Sequence, residues 1–257
     1  MSTENNAHPD LEVTGPPSRF PPATLTEPAP SGYFLMALEI DHRPPLGHFV
    51  ESDRKKEAMA FLKETAETLA DRGDVVDAAA FKAILTPPGR GELLRDRPDI
   101  PVARYDAVLL AEFERPDDAR DFRGDDEGHN LEETADRFAE QTMTLTATNV
   151  RRIGPVDHSQ DGVFMFDYVY ADQLERGLAV WEHTAGWFQD QAELDNATLL
   201  QPDPGQDSAY TVINHCRWDH LRDVLRPMVF DLGFHSYVAE TFRLNRTAPM
   251  PILYRLA

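Results

Sequence analysis

Residues 162–170 read GVFMFDYVY, and residues 32–40 read GYFLMALEI. Both stretches have glycine at the first position and phenylalanine at the third, and both are apolar over most of their length. Short apolar runs bounded by turn residues are typical of buried strands. The two runs match position for position, which predicts that each opens one half of an internally repeated chain.

The pattern that follows each run has the same order of elements, namely strand, helix, strand, strand, helix, strand. In the first half the periodicity predicts helices over 54–71 and 115–138 and strands over 75–85, 105–113 and 142–148. Gly124 and Gly128 are expected to interrupt the second helix. In the second half it predicts helices over 172–192 and 219–232 and strands over 196–200, 210–218 and 235–244, with 252–256 as one further strand. This order is that of the ferredoxin-like motif.

The predicted fold class is α+β, with two ferredoxin-like repeats that form an α+β barrel within one chain. A four-stranded sheet with both helices on one face leaves its other apolar face bare, so two such sheets should cover each other. We expect a ligand cavity between the sheets. The boundaries are 31–155 for a degenerate first repeat and 162–257 for the second. Residues 1–30 hold seven scattered prolines among polar residues and are expected to form a disordered tail.

Composition narrows the possible partners. A net charge of −20 argues against binding to nucleic acid or to an anionic membrane surface. The chain has one cysteine, no apolar run of membrane-spanning length and no secretory signal pattern, so a cytoplasmic location is expected. A fused pair of repeats can be monomeric, although its sheet edges could also support a homodimer.

The stretch most informative about function is residues 210–226, YTVINHCRWDHLRDVLR, in which a strand runs into an amphipathic helix. Strand alternation places Asn214 on the face of Tyr210, Val212 and Cys216, and His215 on the other face. A buried amide must find partners, so Asn214 is either a structural clamp or a ligand-binding group.

The second half resembles the antibiotic biosynthesis monooxygenase family, a branch of the dimeric α+β barrel superfamily. The similar segments are WEHTAGWF at 181–188, NATLL at 196–200, VINHCRW at 212–218 and PILY at 251–254. Oxygenases of this family can carry an Asn-x-x-x-Trp pattern on the strand that enters the second helix, here Asn214 and Trp218. The first half has Leu109 and Phe113 at the corresponding places, which predicts a single active site in the second half.

The resemblance implies a cofactor-independent monooxygenase that uses O₂ to oxidise a small hydrophobic aromatic substrate of the anthrone type. In such an enzyme Asn214 and Trp218 would hold the developing oxyanion. Asp167 lies mid-strand between Phe166 and Tyr168, where burial would raise its pKa toward that of a useful base. His235 is the alternative proton acceptor, and the residues expected to bind substrate are Tyr168, Phe166, Trp181 and Tyr237.

Other interpretations stay open. On the same fold the chain could be a polyketide cyclase or isomerase, a heme protein, or a small-molecule-binding protein without catalysis. Asn214 and Trp218 could be ordinary core residues, and Asp167 could face outward. The sequence shows no metal-binding spacing of histidines and carboxylates, no dinucleotide-binding glycine pattern and no P-loop, so no metal or cofactor is predicted.

Overall fold

The structure is a computed structural model and describes residues 11–13, 20–41, 52–87 and 93–257. The sequence predicts a loop over 41–50, around Pro44 and Pro45, and all of it except Asp41 lies outside the described residues. Among the described residues, each half contains four long strands of the barrel, with its main helices after the first and third of these strands. The strands of both halves join in one closed sheet.

The first half contains four strands and four helices among its described residues: β1 (Gly32–Glu39), α1 (Asp53–Ala70), β2 (Val75–Leu85), α2 (Leu93–Asp96), β3 (Ala107–Phe113), α3 (Pro116–Gly124), α4 (Asp126–Ala135) and β4 (Gln141–Gly154). Helix α1 begins after Ser52, whose hydroxyl accepts the backbone N–H of Lys55. This N-cap satisfies a backbone donor that the helix cannot satisfy itself. The charged stretch predicted as helical over 115–138 breaks at the first of its two predicted interruptions. Helix α3 ends at Gly124 and Asp125 caps α4, whereas Gly128 lies within α4.

The second half contains β5 (Val163–Ala171), α5 (Leu174–Gln191), β6 (Ala197–Pro202), β7 (Val212–Trp218), α6 (Leu221–Phe230), a π-helical turn (Phe234–Ala239), α7 (Glu240–Leu244), β8 (Thr247–Ala248) and β9 (Pro251–Leu256). The buried side of α5 carries Leu178, Trp181 and Ala185, at helical spacing, and faces the sheet. The two-residue strand β8 pairs with the end of β5.

The eight long strands close into an antiparallel barrel. The order is β4-β1-β3-β2 in the first half and β9-β5-β7-β6 in the second, and the halves join where β2 pairs with β9 and β4 pairs with β6. Two ferredoxin-like sheets are thus joined edge to edge within one chain. The predicted fold class is confirmed.

The interior of the barrel is packed with side chains, and in place of the predicted ligand cavity the described residues leave a space of about 30 Å³ at one end. Phe81 lies at its centre, with its ring centroid 5.1 Å from that of Phe164 and 5.2 Å from that of Phe166. Four tyrosines fill one end, and their hydroxyls pair as Tyr105 with Tyr210 at 3.2 Å and Tyr168 with Tyr254 at 3.3 Å. Aromatic side chains project from both sheets, and together they leave no room for a ligand of drug size.

The segment predicted as a strand over 235–244 is helical, as the π-helical turn and α7. The sequence contains β-favouring residues here, but Phe234, Val238 and Phe242 recur at spacings of four and pack against α5. Tertiary burial of one helical face outweighs local strand propensity. The fourth strand of this half is instead β9, which the sequence predicts only as a further strand.

Residues 20–30, predicted to be part of a disordered tail, are packed against α5 of the second half and β4 of the first half. Ala23 donates its N–H to Glu182 O at 2.8 Å, and Thr26 forms a bridge with Arg152 of β4. The segment around Pro21 can lie close to α5 because residue 186 is glycine. A Cβ at Gly186 would lie 2.0 Å from Pro21 O. Residues 1–10 and 14–19 of the predicted tail lie outside the described residues.

The pairing registers correct the predicted match between the halves by one residue. Gly32 pairs with Phe113 between β1 and β3, whereas Val163 pairs with Trp218 between β5 and β7. Position 163 therefore corresponds to position 32, rather than position 162 as the sequence comparison predicts. A slip of one residue reverses the face of a strand, so the corrected register decides which residues are compared.

Candidate active site

A cavity of about 110 Å³ lies between the outer face of β5 and β7 and the helices that cover it. Its floor is formed by the sheet, one side by α5, and the roof by α6, the π-helical turn and α7. The lining is mostly apolar, and the polar side chains on its floor are Asp167 and Asn214. The residues that line it and bear on the chemistry below are Asp167, Trp181, Phe188, Asn214, Trp218, Phe234, His235 and Phe242.

Asp167 contributes a buried carboxyl group to the cavity floor. It is 8% exposed, and its Oδ1 accepts the backbone N–H of Met250 at 2.7 Å. Proline has no backbone N–H, so the Met250 N–H is the single backbone donor of the segment Pro249-Met250-Pro251. Burial raises the pKa of Asp167 to about 7, and the hydrogen bond from Met250 only partly offsets this rise. A carboxyl group of this pKa can take and return a proton near neutral pH.

Asn214 is the direct cross-strand partner of Asp167 in the β5–β7 pairing. Residues paired in this way have Cβ atoms about 4.5–5.5 Å apart on one face of the sheet. Asn214 is 5% exposed, and its Oδ1 has no hydrogen-bond partner among the described residues. Its Nδ2 has only a long contact of 3.6 Å to Cys216 Sγ. An amide left so poorly satisfied in an apolar cavity is destabilising, which favours a ligand-binding role.

Trp218 lines the cavity, but its indole N–H is already used. Nε1 donates to Ala192 O at 3.0 Å, at the C-terminal end of α5. The sequence-based expectation that this N–H helps to hold an oxyanion is therefore contradicted by the structure. Trp218 contributes an apolar wall, and its hydrogen bond fixes the end of α5 against β7.

The mouth of the cavity lies at the π-helical turn. Two residues of this turn, His235 and Ala239, line the cavity and are exposed to solvent. They are four residues apart. His235 thus lies at the opening rather than beside the floor. Isolated π-helical turns occur frequently at functional sites, where they redirect side chains.

The predicted substrate-binding residues are divided between three places. Trp181 lines the cavity. Phe166 and Tyr168 project from the opposite face of β5 into the packed barrel, where Phe166 stacks on His215 with centroids 4.1 Å apart. Tyr237 packs against Phe20, with ring centroids 4.9 Å apart. Only Trp181 of these four can therefore touch a molecule held in the cavity.

Strand parity is confirmed within β7, since Val212, Asn214 and Cys216 face the helices and His215 faces the barrel interior. Tyr210 precedes the strand and faces the barrel instead. Alternation along a strand fails beyond its ends. Phe234 was not predicted as a cavity wall, because it falls between the predicted helix over 219–232 and the predicted strand over 235–244.

A second polar cluster lies at one end of the barrel interior and was not predicted. His158 Nδ1 is 2.5 Å from Asp77 Oδ2, and its Nε2 is 2.8 Å from His215 Nε2. His215 Nδ1 donates to Met165 O at 3.2 Å, and burial lowers the pKa of His215 well below its usual range. A neutral His215 thus accepts at Nε2, so His158 donates to it. These residues come from β2, β5, β7 and the linker after β4, a combination that no local sequence pattern indicates.

Within the ranges that the structure describes, no three histidine, cysteine or carboxylate side chains gather as a metal site would require. No helix in those ranges is long and apolar enough to cross a membrane.

Comparison with known proteins gives the fold. No protein-family model matches the sequence, and no curated protein matches it significantly. Among solved structures, an anthrone oxidase-like protein matches with a TM-score of 0.62 and 9% identity, over 90% of this chain and 94% of the other. A Fusobacterium nucleatum protein provisionally assigned as a monooxygenase matches with a TM-score of 0.53 and 7% identity, over 89% and 92%. The chain therefore has the dimeric α+β barrel fold of these proteins.

Proposed function

We propose that the protein is a cofactor-independent monooxygenase that oxidises an aromatic compound able to form an enolate. The observation that carries this proposal is the pairing of Asp167 with Asn214 on the floor of an apolar cavity. The pair supplies a proton acceptor with a pKa of about 7 and an amide without a strong partner. The likeness in fold to an anthrone oxidase-like protein supports the oxidation of an aromatic compound, and the cavity limits the size of that compound.

In the first step, the Asp167 carboxylate removes a proton from a carbon or hydroxyl group of the substrate. Negative charge then develops on the substrate oxygen, where the Asn214 Nδ2–H₂ group can donate a hydrogen bond. The low polarity of the cavity strengthens this interaction relative to water. Asp167 holds the proton while its Oδ1 stays bonded to the Met250 N–H.

The electron-rich carbon of the enolate then transfers an electron to O₂ and combines with it to form a peroxide, which takes its proton from Asp167. Loss of the remaining hydrogen on that carbon to the carboxylate breaks the O–O bond. For a CH₂ group, or for a ring CH beside a deprotonated hydroxyl group, one oxygen atom becomes the product carbonyl. The other leaves as hydroxide, which takes the proton from Asp167 and becomes water. The substrate supplies all the electrons, so the reaction consumes one O₂ and needs no external reductant.

The direct test is oxygen uptake by the purified protein with anthrone and with 1,4-dihydroxybenzene, in air and under strict anaerobiosis. The proposal predicts enzyme-dependent uptake of one O₂ per product with at least one of the two compounds, with ¹⁸O from labelled O₂ in the product. Turnover that continues without O₂ would instead indicate a cyclase or isomerase, which could use the same proton acceptor and amide. Uptake no faster than in buffer with either compound would contradict the proposal.

A further inference from the structure

The cavity volume limits what can reach Asp167 and Asn214. The enclosed space is about 110 Å³. An apolar protein cavity of about 150 Å³ holds one benzene molecule, and sites for drug-sized ligands are about 300–1,000 Å³. The cavity is therefore limited to at most one aromatic ring, and the three fused rings of an anthrone exceed it.

From this volume and its walls we propose that the substrate is a single-ring aromatic compound, and that Phe234 sets this limit. The inference rests on the proposed function for the chemistry, but the limit on size is independent of it. The ring would lie among Trp181, Phe188 and Phe242, with one polar substituent directed at Asp167 and Asn214. A second ring has no space unless a wall moves.

Phe234 is the wall residue best placed to set the size limit. Its ring is half-buried, with its centroid 5.6 Å from that of Trp187 and 6.3 Å from that of Phe188. It stands on the first residue of the π-helical turn, next to His235 at the mouth. The floor is part of the barrel sheet and cannot recede, because the packed interior lies behind it. Enlargement must therefore occur on the helix side.

Removing the Phe234 ring should join its volume to the cavity. Phe234→Ala is expected to improve binding of a two-ring compound relative to a one-ring compound by about tenfold or more, as pocket walls discriminate between ligands that differ in size. The matched control is Phe138→Ala, which removes a half-buried phenylalanine of the first half, packed at 5.7 Å from Phe61. The control should leave the preference for ring number unchanged.

The experiment measures equilibrium binding of phenol, 1-naphthol and anthrone to the full chain by calorimetry, for the wild type and both variants. We expect saturable binding of phenol to the wild type, weak or no binding of anthrone, and a shift toward 1-naphthol in Phe234→Ala alone. Wild-type binding of anthrone as tight as that of phenol would overturn the inference, as would failure of phenol to bind. Binding of phenol-sized compounds without any oxygen uptake would contradict the proposed function and leave the size limit standing.

Discussion

The two halves of the molecule use the same sheet geometry, yet their helix-facing sides differ at one cross-strand pair. In the second half Asp167 pairs with Asn214, and the corresponding pair in the first half is Met36 with Leu109. The apolar pair is buried under α1, α3 and α4 in a continuous core. The polar pair lies under a cavity.

The difference shows that the fold itself does not require a polar floor or a cavity. Met36 and Leu109 satisfy the same structural position with apolar packing, which is the stable solution for a sheet under helices. Phe113 likewise stands where Trp218 stands in the second half. A buried carboxyl group and an amide with an unpartnered oxygen lower stability, so their presence in one half only is best explained by function.

The largest expected effect on stability comes from Asp167→Asn. The folded carboxyl group keeps its proton up to about pH 7, whereas in the unfolded chain its pKa is near 3.8. Below about pH 4 the carboxyl group is protonated in both states and does not affect the free energy of unfolding. Between about pH 4 and pH 7 the free energy of unfolding falls, because only the unfolded chain loses the proton, and above about pH 7 it stays low. The neutral amide removes this penalty, so the variant should be more stable at pH 8 by as much as about 4 kcal/mol. Urea unfolding at pH 4, 6 and 8 measures this.

Asp203→Asn is the matched control, since Asp203 is also 8% exposed but is paired. It accepts hydrogen bonds from Arg120 at 2.9 Å and from Thr146 at 2.7 Å. Loss of its charge should lower stability at pH 8 by about 1–3 kcal/mol, because a charged hydrogen bond is lost. If both variants shift in the same direction, Asp167 is a paired structural residue and the contrast between the halves fails.

A reciprocal exchange at the second member of the pair should have opposite effects in the two halves. Leu109→Asn places an amide in the packed core and should cost about 2–4 kcal/mol, from lost packing and an unsatisfied polar group. Asn214→Leu removes a poorly satisfied amide and should leave stability unchanged or raise it by about 1–2 kcal/mol. Chemical unfolding of both variants at one pH decides this. Equal destabilisation by both would mean that Asn214 is a structural clamp.

The smallest effect is expected for Trp218→Phe. The indole N–H bonds to Ala192 O, so its loss should lower stability by about 1 kcal/mol. Turnover should fall by less than about tenfold, because this N–H does not face the substrate. Loss of a true oxyanion-hole donor lowers kcat by about 10²–10³-fold. A drop of two orders of magnitude in oxygen uptake, with the fold intact by circular dichroism, would return Trp218 to the chemistry.

Much of the fold could be predicted from the sequence because it depends on periodic burial. The apolar runs at 32–40 and 162–170 and the helical spacing of Leu178, Trp181 and Ala185 indicate their elements directly. The order of elements in each half then predicts a ferredoxin-like sheet, and two such sheets in one chain predict the barrel. The helical segment at 234–244 was missed because its burial comes from α5, which no local pattern contains.

The candidate site was predictable in its floor but not in its walls. Strand parity and the Asn-x-x-x-Trp spacing identify Asn214, and a carboxylate within an apolar strand identifies Asp167. The sequence could not show that the barrel interior is full, which removes Phe166 and Tyr168 from the site. It also could not show that the indole of Trp218 is bonded to Ala192, because that contact joins residues 26 positions apart.

The most direct test of the central role of Asp167 is the pH dependence of oxygen uptake, with 1,4-dihydroxybenzene as substrate, for the wild type, Asp167→Asn and Asp203→Asn. Uptake by the wild type should rise with pH to half its maximum near pH 7, as the Asp167 carboxyl group loses its proton. Asp167→Asn should lose about 10²–10⁴-fold of this rate at every pH, and Asp203→Asn should keep the wild-type profile. Full activity of Asp167→Asn with the same profile would contradict the account.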